Sequence, residues 1–354
     1  MSFPFVQPYF GLGNSLQTAQ AGGAGGIGGW VELARTTLGS EGDNITVSSL
    51  PDKKYYMILG DVRDGTGDHG IGIRLNGDTG SNYASRWSIN GTTDQTAASK
   101  SSGYITESRQ YHNYNVTYLS NLSSKEKLWQ NQNVHQLAAG ASTAPMREEA
   151  VGKWANTSNA VDEFTYYNWH SGNFGTGSEA VVLGWDPEDT HTTNFWEELA
   201  EGTATSGDNL DTGALTEKKY YWIQAMAVGN GSDIRMSLRT GDGSIATTDY
   251  SYRRSHNGGT EEAFTSADRM AATSGAVSDN EFWNIFVINN SGNEKLCIAH
   301  AVRQNTAGAS NVPNRTEMVG KYAYTSGQLD RFRLFNDQAG DLASGSIIKV
   351  WGSD

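Results

Sequence analysis

Three aspartates fall within one short glycine-bearing segment, Asp61-Val62-Arg63-Asp64-Gly65-Thr66-Gly67-Asp68. Carboxylate oxygens at such spacing suit a hard cation, calcium above all. Asp61, Asp64 and Asp68 are therefore a candidate calcium loop. The competing reading is a solvated turn, and two features favour it. Arg63 sets a positive charge among the ligands, and the ligand spacing of an EF-hand is missing. The other acidic residues offer less. A glycoside hydrolase needs two carboxylates at a fixed separation across the scissile bond. Glu148-Glu149 and Asp162-Glu163 are adjacent pairs, which a strand points to opposite faces. The seven histidines, His69, His112, His135, His170, His191, His256 and His300, are scattered, and none has a metal-binding partner four residues on. Neither Gly-x-Ser-x-Gly nor a phosphate loop occurs. The expectation is a protein that turns over no substrate and needs no cofactor, with calcium as the one candidate ion.

Aromatic residues carry a stronger binding signal, and it is read through an internal duplication. Trp30-Val31-Glu32-Leu33-Ala34 returns as Trp196-Glu197-Glu198-Leu199-Ala200, and Lys53-Lys54-Tyr55-Tyr56 returns as Lys218-Lys219-Tyr220-Tyr221. Tyr83, Arg86, Ser88, Asn90 and Gly91 are repeated as Tyr250, Arg253, Ser255, Asn257 and Gly258. Ala139-Gly140-Ala141-Ser142, Pro145, Arg147, Glu149 and Val151-Gly152-Lys153 reappear as Ala307-Gly308-Ala309-Ser310, Pro313, Arg315, Glu317 and Val319-Gly320-Lys321. The offset hardly drifts, and its length suits a whole domain. Positions where the copies differ are then informative. Trp169-His170 aligns with Asp337-Gln338, and Trp87 aligns with Arg254. A tryptophan that the other copy replaces by a charge is a poor core residue. Trp87, Trp169 and His170 are accordingly candidates for sugar stacking or protein contact. Trp30/Trp196 and Trp154/Tyr322 are aromatic in both copies and are expected in the core. Arg86/Arg253 and Asn90/Asn257 read as structural, the Asn-Gly pair being a hairpin turn.

Composition sets bounds. A chain of 354 residues is long enough for two domains, each with its own core. Net charge is −13 with no cluster of Lys and Arg, which argues against a nucleic-acid partner. The single cysteine, Cys297, excludes an intrachain disulfide. It replaces Trp129 of the first copy and reads as a small packed hydrophobe. No apolar run long enough to span a membrane occurs, and the N-terminus lacks the charged and apolar regions of a secretory signal.

The elements that must hold these residues are strands. Tyr114-Asn115-Val116-Thr117-Tyr118-Leu119 alternates polar and apolar, as does Phe282-Trp283-Asn284-Ile285-Phe286-Val287, and dense Asn-Gly turns lie between such segments. A closing strand in each copy can pair beside the first. The one helix candidate is Asn194 to Glu201. The fold predicted is all-β: two tandem jelly-roll or β-sandwich domains, 30–186 and 195–354, joined by a linker at 187–194. Residues 1–29 form an N-terminal arm with Phe3, Phe5, Tyr9 and Phe10 ahead of a glycine tract. A sticky segment on a flexible tether reads as a docking peptide.

Together, the Trp-x-Glu-Leu-Ala, Gly-Asp-Asn and Lys-Lys-Tyr-Tyr elements, Arg74-Leu75-Asn76-Gly77-Asp78, Tyr83 to Gly91 and the closing Gly-Ser…Val-x-Gly strand resemble a module of tailed-phage virion structural proteins, particularly marine and cyanophage types. Those modules are similar to concanavalin-A-like jelly rolls. The resemblance covers both copies but not the arm. It implies a non-enzymatic protein at the virion surface, a capsid decoration or compact fibre anchored by its arm to other capsid or tail proteins and forming a homo-oligomer. Two alternatives remain: a receptor-binding fibre or spike that holds a host surface glycan, and a double jelly-roll coat subunit.

Overall fold

The computed structural model describes residues 29–107, 109–189, 193–275 and 280–354. Domain 1 contains β1 (Val31–Thr37), β2 (Asn44–Ser48), β3 (Tyr55–Val62), β4 (Ile71–Leu75), β5 (Tyr83–Ile89), β6 (Gln95–Lys100), β7 (Gly103–Tyr104), β8 (Asn113–Ser120), β9 (Lys127–His135), β10 (Met146–Trp154), β11 (Glu163–Asn168) and β12 (Glu179–Trp185). Domain 2 contains β13 (Glu197–Ala204), β14 (Asn209–Asp211), β15 (Tyr220–Ala227), β16 (Met236–Asp242), β17 (Ser244–Ile245), β18 (Tyr250–His256), β19 (Glu262–Ala267), β20 (Ala271–Ala272), β21 (Glu281–Ile288), β22 (Lys295–Arg303), β23 (Asn314–Tyr322), β24 (Arg331–Asn336) and β25 (Ser346–Ser353).

Each domain is a large sheet stacked on a small one. The large sheets run β1-β12-β3-β8-β9-β10-β5-β6 and β13-β25-β15-β21-β22-β23-β18-β19, the same order twice. The closing strand does pair beside the first: β12 lies between β1 and β3, and β25 between β13 and β15. The small sheets run β2-β11-β4-β7 and β14-β24-β16-β17, with β20 also on β16. No helix occurs among the described residues. The expected helix at 194–201 is instead the start of β13. Its Glu-Glu-Leu-Ala run favours helix locally, but the ladder to β25, with Glu197 opposite Gly352, overrides that preference. Asn90 (φ 50°) and Gly91 (φ 68°) are both left-handed, as are Asn257 (φ 51°) and Gly258 (φ 70°), which is what a tight hairpin turn requires.

The large sheets meet face to face, and this contact is where the period-two pattern has its unexpected consequence. On β8 the apolar set, Tyr114 and Val116, points out of its own sandwich, while Asn113, Asn115 and Thr117 point between the sheets. The outward set joins Met57, Leu59, Val134 and Leu183 against Phe195, Trp196, Tyr220, Phe286, Leu296 and Ile298 of domain 2. Three apolar clusters result: one inside each sandwich and one between them. Trp30 and Trp196, expected in the sandwich cores, lie on these outer faces. Trp196 is buried in the joint, and Trp30 is half-buried beside it. Trp154 is in its core as expected, with Tyr322 packed against the other. Cys297 is buried in the core of domain 2, where loss of solvent pushes its thiol up to about 12.

Charges lock the joint. Asp61, fully buried, takes hydrogen bonds from Asn290 (2.8 Å) and His112 (2.7 Å) and ion pairs with Lys219 (3.1 Å). Burial alone would raise its pKa, but His112, Lys219 and Arg63 outweigh burial and hold it well below the carboxylate range. Lys219 also reaches Glu179 (2.9 Å), to which Tyr220 donates (2.8 Å). Arg147 bridges to Glu261 (3.0 Å) and Glu317 (3.3 Å) of domain 2. Lys321 and Arg253 donate to backbone carbonyls of the 136–145 loop.

Candidate functional site

Trp87, Trp169 and His170, distant in sequence, are assembled at one end of domain 1. Trp87 on β5 stacks on Tyr104 of β7 with ring centroids 4.1 Å apart. Tyr104 lies 6.4 Å from Trp169, which meets His170 edge-on at 5.8 Å. Trp169 follows β11. Its indole N–H donates to Thr106 O (3.2 Å), and its ring rests on Gly70, where a Cβ would come within 2.2 Å of Cε2. Glycine at 70 is what lets the ring lie flat across the sheet end. Asn168 holds this turn by accepting from the N–H groups of Gly70 (3.1 Å) and His170 (3.0 Å). Asn336 does the same in domain 2 for Arg235 (2.9 Å) and Gln338 (3.0 Å), so the asparagine belongs to the frame and the tryptophan to domain 1 alone. Trp169 is exposed, whereas Trp87 is half-buried. The expectation that both are surface residues is thus corrected for Trp87, which lies on the core-facing side of β5 under the cover of Tyr104.

Beneath the aromatic row lies a polar interior that the sequence did not reveal. Glu148 on β10 is fully buried and accepts the Glu107 N–H at 2.9 Å. Burial pushes its carboxyl up to about 8 against that hydrogen bond. Glu149, its neighbour, points to the opposite face towards Arg147, as a strand demands. His69 and His135 lie 6.4 Å apart, and burial pushes them down to about 4 and about 3. His135 Nε2 is 2.8 Å from Tyr111 O, while neither ring nitrogen of His69 meets a partner among the described residues. Asn113 donates to Asn133 (2.6 Å), Asn131 to Thr117 (2.8 Å) and Tyr166 to Asn115 (2.6 Å). No adjacent sequence pair signals this group. It is gathered from β8, β9, β10, β11 and the loops before β4 and β8, and only the sheet order could have found it.

Burial favours the proton on Glu148 and disfavours it on His69 and His135, and none of the three is exposed. Glu148 has no exposed surface, so a substrate at the aromatic row cannot reach its oxygens without a rearrangement. The candidate calcium ligands are not gathered either. Asp61 spends its oxygens on His112, Lys219, Asn290 and Arg63, and burial raises Asp64. Among the described residues, no three His, Cys, Asp or Glu side chains converge on a metal position. The intervening Arg63 and the cation from domain 2 supply the positive charge that a bound ion would otherwise bring. Phe3, Phe5, Tyr9 and Phe10 lie outside the described residues.

Domain 1 has a second open surface. The part of its outer sheet face that domain 2 leaves uncovered is a groove of about 910 Å³. Tyr55 and Trp185 stack at 5.4 Å on its floor, with Trp30 6.3 Å from Trp185. Leu128 (56% exposed) and Val151 (50%) complete an apolar strip rimmed by Arg86, Gln130 and Lys153.

No family model matches the chain, and no curated protein is similar to it at a significant level. Among solved structures it is similar to domains LG4-5 of the mouse laminin alpha1 chain, at 8% identity over 92% of this chain and 91% of that one, with a TM-score of 0.19. It is also similar to the LG1-3 region of the laminin alpha2 chain, at 7% identity over 90% of this chain and 62% of that one, again with a TM-score of 0.19, values too low to bear on function.

Proposed function

We propose that this chain is a non-enzymatic structural protein of a virion surface, attached through residues 1–28 and presenting two fused sandwiches outwards. The observation that carries this reading is the joint between the large sheets. An apolar cluster and the buried Asp61–Lys219 and Arg147–Glu261 pairs make the two domains one rigid body, suited to bearing load and binding rather than to opening and closing over a substrate. The module resemblance supports the phage setting, and a raised but sealed Glu148 supports binding over turnover. The test is assembly. A chain lacking residues 1–28 should fold, remain soluble and fail to join the particle; normal occupancy by the truncated chain would overturn the anchoring role.

A second reading, recognition of a host surface glycan, is favoured by one observation: the exposed Trp169 beside the Trp87–Tyr104 stack, flat faces of the kind that sugars stack on. Incubation with envelope polysaccharide separates the two. Retention that weakens in Trp169→Ala supports recognition, and a steady release of reducing ends would show catalysis and sink the non-enzymatic reading.

A further inference from the structure

The joint inside the chain is not symmetric, and its asymmetry leaves two complementary halves unused. Domain 2 contributes the half of its face that bears Trp196, Tyr220, Leu296, Val319, Arg253 and Lys321. Their equivalents in domain 1 are Trp30, Tyr55, Leu128, Val151, Arg86 and Lys153, which line the open groove. Domain 1 contributes a different half: the ends of β3, β8, β9 and β12, and the 136–145 loop. From that loop, carbonyls of Gln136 and Ala138 accept from Lys321, the carbonyl of Pro145 accepts from Arg253 (2.9 Å), and the Gly140 N–H donates to Glu294. Domain 2 carries the same loop at 304–313, with Gln304, Gly308 and Pro313 in the matching positions. There nothing covers it among the described residues. Val312 is 77% exposed, whereas its equivalent Ala144 is 5% exposed under the joint. Met226 and Phe282, beside that loop's sheet, are also exposed.

We infer that the 304–313 loop and adjoining sheet face of domain 2 dock in the domain 1 groove of a second copy of this chain, repeating the internal joint between chains. Lys153 and Arg86 take the carbonyls of Gln304, Thr306 and Pro313 of that copy, and Glu126 takes its Gly308 N–H. The charges that change between the copies agree with this occupant. In the internal joint Lys219 needs Asp61 and Glu179 from across the interface. Its equivalent Lys54 is already paired with Asp186 (3.2 Å) and Glu188 (3.4 Å) of its own chain. The positions facing it from a second copy are correspondingly uncharged, Met226 for Asp61 and Ile347 for Glu179. Ser120 and Gln130 stand in the groove where domain 2 has Ile288 and Ile298, so the joint between chains is weaker than the one within. Such a contact is head-to-tail and grows into a ring or a filament. It concerns self-association only and stands whether or not the chain belongs to a virion.

Sedimentation velocity of the full chain, over about a hundredfold range of concentration, tests it by mass action. The wild type should shift from monomer to larger species as concentration rises. Leu128→Glu in the groove and Val312→Glu on the loop should each hold the chain monomeric, with unchanged thermal unfolding at low concentration as the control for folding. Mixed together, the two variants retain one intact groove and one intact loop, and should form dimers that grow no further. A chain that stays monomeric throughout overturns the inference. So does association that survives Val312→Glu, which would mean groove-to-groove pairing, and so does association that begins only when residues 1–28 are removed, which would make the chain's own arm the occupant.

Discussion

The two domains share a strand order and differ in what they place at equivalent positions. One end of domain 1 gathers Trp87, Tyr104 and Trp169, with Glu148 buried in the same domain. In domain 2 the corresponding positions are Arg254, Ala272, Asp337 and Thr316. There an ion-pair chain closes the same end, from Arg235 through Asp337 and Arg269 to Asp268 and Arg239. The interiors diverge as well. Asn113, Asn115, Asn131 and Asn133 line domain 1, whereas Trp283, Ile285, Ala299 and Ala301 pack in domain 2. Domain 2 is thus built as a partner for domain 1, with an apolar core and the Trp196 half of its outer face covered. Domain 1 gives up core packing for a polar interior and keeps both an aromatic end and an open face. One frame therefore separates the work of holding from the work of meeting something else.

The largest expected effect probes the interior. A carboxyl whose folded pKa lies above its unfolded value binds more protons in the folded state, so it lowers stability as pH rises from about 4 to about 8. Replacing Glu148 by Gln keeps an acceptor for the Glu107 N–H and removes that loss, so Glu148→Gln should stabilise domain 1 by up to about 5 kcal/mol above pH 8 and leave it unchanged near pH 4. Glu281, raised to about 7, sits 3.6 Å from the nearly buried Arg303. That guanidinium already holds the rise below that of Glu148, so Glu281→Gln should act in the same direction with a smaller gain. Urea titrations at both pH values decide it; equal responses would erase the distinction between the interiors.

The next comparison is between faces. Trp196→Ala should cost about 4 kcal/mol and split unfolding into two transitions, since it empties the centre of the joint. Trp30→Ala, at the equivalent half-open position, should cost about 1 kcal/mol and leave unfolding cooperative. Arg147 and Arg315 give a third pair. Arg147→Ala leaves Glu261 and Glu317 without their shared cation and should cost about 3 kcal/mol. Arg315, 62% exposed, should change stability by less than about 0.5 kcal/mol when replaced by Ala. Calorimetry on both variants would show whether the charge positions are as unequal as their burial. At the aromatic end, Trp169→Ala should change stability by less than about 0.5 kcal/mol and be read instead in the near-ultraviolet dichroism of the aromatic row, whereas Asp337→Ala should leave that signal untouched.

Much of this frame was readable before any coordinates. The near-constant offset between copies foretold one strand order used twice, and Asn-Gly at 90–91 and 257–258 foretold the hairpins. Comparing copies also singled out Trp87 and Trp169, which come together although β6 to β11 separate them in the chain. What escaped was which face of each strand looks inward. Period-two alternation marks two faces but does not say which one meets the other sheet. On β8 the usual assignment puts Tyr114 and Val116 inside; they point outward because a second sandwich covers them. The histidines escaped for a related reason: His69, His112 and His135 come from separate segments, so no spacing rule could join them.

Cys297, the sole thiol, gives the domain comparison a clock. It sits in the core of domain 2, protonated and out of reach, while the equivalent site in domain 1 holds an unreactive indole. An alkylating reagent added to the native chain can therefore mark only those molecules whose second sandwich has opened. Each modified chain is a timestamp of one such event, written without any engineered label. Read beside the unfolding of the whole, the rate of marking tells whether domain 2 ever lets go before domain 1 does.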